Sequence, residues 1–126
     1  MKRLLSAALF FAVWATCMSL PTAARGPIVR LEIENTTPDA WVWVTPRANG
    51  SNQSAWCVDP GRTSTRDYNT WVYEALIEVT AKPGCHHPRY LDRTVNLPGK
   101  DVNPKRPVIE ISGSRGKYSV RNWNGS

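Results

Sequence analysis

Short runs in which apolar and polar residues alternate recur along the chain, each stopped within a few residues by Gly, Pro, Asn or Asp. A period of two can bury one face of a strand but not one stripe of a helix, so this pattern constrains the fold more than any other feature. Val29, Leu31 and Ile33 fall on one side of the first run and Arg30, Glu32 and Glu34 on the other, which predicts a half-buried strand. Asn35-Thr36-Thr37-Pro38-Asp39 supplies a turn, and the β-rich residues 41–45, ending at Pro46, complete a predicted hairpin.

Residues 47–54 carry no apolar period and contain Asn49-Gly50, so they read as an exposed loop. A short strand holding Cys57 is predicted over 55–58, followed by the tight turn Asp59-Pro60-Gly61 and a polar stretch over 62–69. The longest strand is predicted over 71–80. Trp71, Tyr73, Ala75, Ile77 and Val79 face one way there, and Val72, Glu74, Leu76, Glu78 and Thr80 the other. A helix competes over 74–78, but the β-branched and aromatic content favours a strand. His86-His87-Pro88 is expected in a bend. Alternation then resumes over 89–97 with Leu91, Arg93, Val95 and Leu97 on one face, and Pro98-Gly99-Lys100-Asp101 stops it. A terminal hairpin is predicted from 108–111 and 117–123 around a Ser/Gly connection.

The expectation is therefore an all-β chain of about seven short strands, an antiparallel β-sandwich of immunoglobulin-like or transthyretin-like type, with a small closed barrel as the alternative. An apolar fraction of 41% and a charged fraction of 21% suit a globular chain. Residues 1–24 have the order of a secretory signal peptide: Lys2 and Arg3, an apolar run from Leu4, then Pro21-Thr22-Ala23-Ala24. An anchor helix is the competing reading, but polar residues and Pro21 break the run short of the roughly 20 residues a bilayer requires. Lipid attachment at Cys17 lacks its usual flanking pattern. Cleavage after Ala24 leaves residues 25–126 as one secreted or periplasmic domain with no membrane span. With Lys2 and Arg3 removed from 16 basic residues, 14 remain against 10 acids, and the formal charge falls from +6 to +4.

Export also removes Cys17, so Cys57 and Cys85 are expected to form one disulfide. Closing a loop of about 28 residues restricts the unfolded chain by roughly 3–4 kcal/mol. Free thiols serving a metal or catalysis are the alternative. Around Cys57-Val58-Asp59-Pro60-Gly61 and Cys85 the sequence resembles exported, disulfide-bonded sandwich domains in a general way that implies architecture and not activity.

Beyond residue 24 the chain has neither Phe nor Met, so its large apolar contacts are expected from Trp and Tyr beside the aliphatics. Trp56, packed on the disulfide, and Trp71 are assigned to the core. Trp41, Trp43 and Trp123 are candidate ligand-binding residues, because exposed indoles stack on sugars and prolines.

His86 and His87 are the only histidines, adjacent and without a third ligand in view, so they are weak metal candidates and no metal or cofactor is expected. Glu32 and Glu34 share a strand face about 7 Å apart, within the range of glycosidase acid pairs, but they also read as a solvated face. Gly-x-Ser-x-Gly and phosphate-binding glycine loops are absent. Asn35, Asn49, Asn52 and Asn124 each open an Asn-x-Ser/Thr triplet, read as turn chemistry because the leader is bacterial in style. Scattered basic residues with interspersed acids predict an ordinary solvated surface. A compact cationic face would instead favour lipopolysaccharide, wall polymers or nucleic acid, and no nucleic-acid partner is expected.

The function expected from these features is non-catalytic binding, the partner being another exported protein in the cell envelope or extracellular space. The first surfaces to test are loops 46–54 and 62–70. A glycan or wall-polymer module stacking on Trp41 and Trp43 is the alternative, and a small hydrolase using Glu32 or His86 the second.

Overall fold

The structure is a computed structural model that describes residues 27–97 and 106–124. The expected signal peptide, Cys17 and the 98–101 stop lie outside the described residues. Nine strands follow one another within them, and no helix forms, including over 74–78. They are β1 (Val29–Asn35), β2 (Trp41–Ala48), β3 (Ser51–Asn52), β4 (Trp56–Val58), β5 (Thr63–Tyr68), β6 (Glu74–Lys82), β7 (His86–Asn96), β8 (Pro107–Ser114) and β9 (Lys117–Asn124).

Two sheets share one core, as expected of a sandwich. The four-stranded sheet has the order β5-β1-β8-β9; the five-stranded sheet has β6 then β7 on one side of β2, and both β3 and β4 pairing with β2. Inward residues of both sheets are buried: Val29, Leu31 and Ile33 of β1 and Ile109 and Ile111 of β8 meet Val42 and Val44 of β2 and Ala75, Ile77 and Val79 of β6. The pairing is antiparallel except for β1 and β8, which run parallel. An immunoglobulin sandwich places its first strand beside its second. Here β1 lies between β5 and β8 while β2 is in the other sheet, so the strand order differs from the immunoglobulin one.

Two additional strands come from segments read as loops. Beyond residue 46, β2 continues to Ala48, turns through Asn49 (φ 52°) and Gly50 (φ 75°), and returns as β3 with Ala48 opposite Ser51. Positive φ at both turn residues is what a two-residue hairpin requires, so Asn49-Gly50 closes a turn instead of opening a loop. The polar stretch over 62–69 holds β5, which pairs with β1 from Val29↔Tyr68 to Glu34↔Thr63. As an edge strand it exposes Thr63, Thr65, Arg66 and Asp67 and therefore carries no apolar stripe.

Three further expectations change. The long strand begins at Glu74 and not at Trp71, while Val72, on a face expected to be covered over the first half of that strand, is fully buried. His86-His87-Pro88 opens β7 and is not a bend. The interior is mainly aliphatic: Trp56, 6% exposed, is the one tryptophan among the described core residues, and Trp71 is only half-buried against them. Valine and isoleucine on the pleated inner faces fill a gap of about 10 Å without larger rings.

The disulfide Cys57–Cys85 forms as expected, with its Cα atoms 5.9 Å apart. Alternation along β4 turns Trp56 and Val58 inward and Cys57 outward, and the residue directly across from Cys57 is Trp43. The Trp56 indole N–H donates to Ser64 Oγ (3.1 Å), and the Arg66 guanidinium lies 4.5 Å from its ring.

Candidate functional site on the four-stranded sheet

Burying Leu31 and Ile33 leaves Glu32 and Glu34 on the outer face of β1, both half-exposed. The parallel register with β8 sets Glu34 beside Glu110 and Glu32 beside Val108; the antiparallel register with β9 then adds Arg121 to the first row and Trp123 to the second. On the other side of β1, Thr63 and Thr65 of β5 complete the rows. One flat face thus carries three carboxylates on two adjacent strands, about 4.8 Å apart between strands and about 7 Å along β1.

The neighbouring Glu32 side chain holds the Glu34 carboxyl above its ordinary value, with burial and the negative charge of Glu32 adding to the shift. None of Glu32, Glu34 and Glu110 forms an ion pair among the described residues. Two cations on this face have other partners. Arg30 grips Asp67 through Nε–Oδ1 (2.8 Å) and Nη2–Oδ2 (3.1 Å), which raises the arginine and lowers the aspartate. Arg121 stacks over the Trp123 ring with its guanidinium carbon 3.8 Å from the centroid. Trp123 remains 42% exposed.

The raised Glu34 carboxyl gives a signed expectation. A carboxyl raised in the folded state binds more protons folded than unfolded, so its contribution is present below the unfolded value and is lost as pH rises through the folded one. Glu34→Gln is therefore expected to flatten the decline in stability as pH rises above the ordinary glutamate value. Urea midpoints measured at several pH values there check it, and an unchanged pH slope would show that Glu34 is not raised in the folded state.

The five-stranded sheet presents a different outer face. Trp41 and Trp43 lie there on β2, both half-buried. Since β4 and β6 flank β2, a disulfide from Cys57 of β4 to Cys85 at the β6–β7 tip draws that tip across β2. Irregular pairing of β6 with β7 at Val79/Thr80 and Thr80/Lys82 bends the hairpin, and Thr80 Oγ1 donates to the Trp41 carbonyl (2.8 Å). Trp41 and Trp43 are thus partly covered, and the structure does not bring them together with Trp123, which is on the other sheet.

His86 and His87 are exposed at the start of β7. Among the described residues no three His, Cys, Asp or Glu side chains converge as metal ligands, the three glutamates included.

Sequence reasoning missed Glu110, and it noted Arg121 only as one of the basic residues near the C-terminus. Glu110 sits at an outward position of an alternating run, a signal that was readable, but its place beside Glu34 depends on a parallel pairing of distant strands. Tyr90, 47% exposed with its ring 5.3 Å from that of Tyr118, also went unmarked. Comparison with models of known protein families and with curated proteins finds no match for this chain.

Proposed function

We propose that the chain is an exported, non-catalytic binding domain whose outer four-stranded face recognises another exported protein. Trp123 carries the proposal. A large indole left 42% exposed on a regular sheet, with an arginine stacked on it, has the residue chemistry of a protein–protein anchor. The leader-like order of residues 1–24 and the Cys57–Cys85 bridge support export, since disulfides persist in oxidising compartments. Half-burial of Trp41 and Trp43 weakens the glycan-platform alternative, which would have to rely on Trp123 alone.

Photo-crosslinking from position 119, an exposed β9 residue on the same outer face, is expected to trap an envelope protein in native membranes or periplasm. Trp123→Ala is expected to lower the yield by roughly tenfold or more, in line with the loss of about 2 kcal/mol from an interface anchor. Crosslinking solely to wall polymer, or an unchanged protein adduct in the alanine variant, would reject the proposal.

A further inference from the structure

Independently of that binding reading, we infer that Tyr90 and Tyr118 form a site of oxidative cross-linking, where hydrogen peroxide acting through a peroxidase joins the two phenol rings as dityrosine. The two residues come from different sheets. Tyr90 lies on β7, an edge of the five-stranded sheet, and Tyr118 on β9, an edge of the four-stranded one. Their ring centroids are 5.3 Å apart with the planes inclined by 39°, a separation at which aromatic edges touch. The other two tyrosines are placed differently: Tyr73 has Trp71 as its ring neighbour at 5.8 Å, and Tyr68 is half-buried on β5.

The two rings are held in different ways. Tyr90 is 47% exposed, so an oxidant can take its electron at the surface, and an exposed ring changes rotamer fast enough to search for alignment. Tyr118 is fixed. Its hydroxyl donates to Asp39 Oδ1 (2.8 Å), and Oδ2 of the same carboxylate accepts the Arg115 N–H (2.8 Å). A neutral phenol must lose a proton along with its electron, and a carboxylate already bonded to the hydroxyl is the base that receives it. Tyr118 therefore passes its proton to Asp39, and Tyr90 passes its own to water. Each ring becomes a phenoxyl radical with spin on a carbon next to the oxygen-bearing one. A bond forms between two such carbons, and the hydrogen on each then moves to its own ring's oxygen, which restores both phenols. The protein gives up two electrons and two protons in all, and one hydrogen peroxide takes them up to become two waters. The Cys57–Cys85 bridge lies within the five-stranded sheet, so dityrosine ties together two sheets that this disulfide does not join.

The test treats the purified, disulfide-bonded protein at low concentration with hydrogen peroxide and a purified haem peroxidase. The monomer is expected to gain dityrosine fluorescence and to lose the mass of two hydrogens. Trypsin is then expected to release Tyr90-Leu91-Asp92-Arg93 joined to Tyr118-Ser119-Val120-Arg121. Tyr90→Phe is expected to abolish that product and Tyr73→Phe to leave it intact. Asp39→Asn, which keeps the shape of the side chain but withdraws the base, is expected to slow coupling by roughly tenfold. Dityrosine absent from the monomer or confined to cross-linked dimers, or an intramolecular product that persists in Tyr90→Phe, would overturn the inference. Unchanged coupling in Asp39→Asn would overturn the passage of the proton to Asp39.

Discussion

Replacing Asn35 by alanine is expected to lower the unfolding free energy by about 3–5 kcal/mol, one of the two largest single effects anticipated in this domain. Asn35 is 1% exposed at the end of β1, and its side chain fixes the turns on both sides of the core. Its amide donates to the carbonyls of Ala40 (2.9 Å), Val58 (3.1 Å) and Asp59 (3.1 Å), while its Oδ1 accepts from the Thr37 N–H (3.1 Å) and the Thr37 hydroxyl (2.6 Å). Truncation leaves the Val58 and Asp59 carbonyls and the buried Thr37 donors to find new partners. Each orphaned group costs about 1–3 kcal/mol, and the total falls below the simple sum because neighbouring losses are not additive.

Asn35→Asp separates hydrogen bonding from shape. It keeps the acceptor for Thr37 but sets a carboxylate against three carbonyls, so at neutral pH it is expected to be at least as damaging as alanine. Its deficit should narrow as pH falls, since the protonated acid regains one donor. Urea unfolding of both variants at two pH values is the measurement. A loss below about 1 kcal/mol for alanine would mean that the turns are held by something other than this network. The same burial bears on the Asn35-Thr36-Thr37 triplet: its amide nitrogen lies inside the fold, whereas the side chain of Asn49 is exposed.

Asn35 also marks how far local pattern reaches. From the sequence it was a turn former, and its side chain does shape a turn, but its three acceptors come from β4 and the two flanking turns. The alternation of β1 was legible because every second residue meets the core. In β5 the same period is hidden, since Thr63, Thr65 and Asp67 face solvent and Arg66 is exposed too; only β1 as a partner defines that strand. The candidate site has the same limit. Alternation placed Glu32 and Glu34 outward and left Trp123 free to reach solvent, yet Glu110 and Arg121 join them through pairings with strands far away in the chain. Trp41 and Trp43 show the converse. Their outward position follows from the period of β2, but their partial cover depends on where a disulfide carries the next hairpin.

That dependence sets the second large expectation. Cys57→Ser/Cys85→Ser is expected to cost about 3–4 kcal/mol, the chain-entropy value for a loop of about 28 residues. A global loss alone would show only that a cross-link restricts the unfolded chain. The position of this bridge predicts a local effect as well. Gly84 (φ 76°) and Cys85 (φ 62°) hold the β6–β7 tip in left-handed backbone, which a non-glycine residue such as Cys85 adopts only under constraint. Without the bridge nothing pins Cys85 to β4 across β2, so the tip should leave the outer face of the five-stranded sheet while the core pairing of β1, β8, β2 and β6 persists. Under conditions where the variant remains folded, acrylamide quenching of tryptophan is expected to rise, and the rise should disappear when Trp41→Phe and Trp43→Phe are both added. Amide exchange should quicken around residues 80–89 but not in β1 or β8. Unchanged quenching in the folded, bridge-free variant would show that the tip stays over β2 without its cross-link. In that case the disulfide would serve stability alone and would have no part in covering the tryptophans.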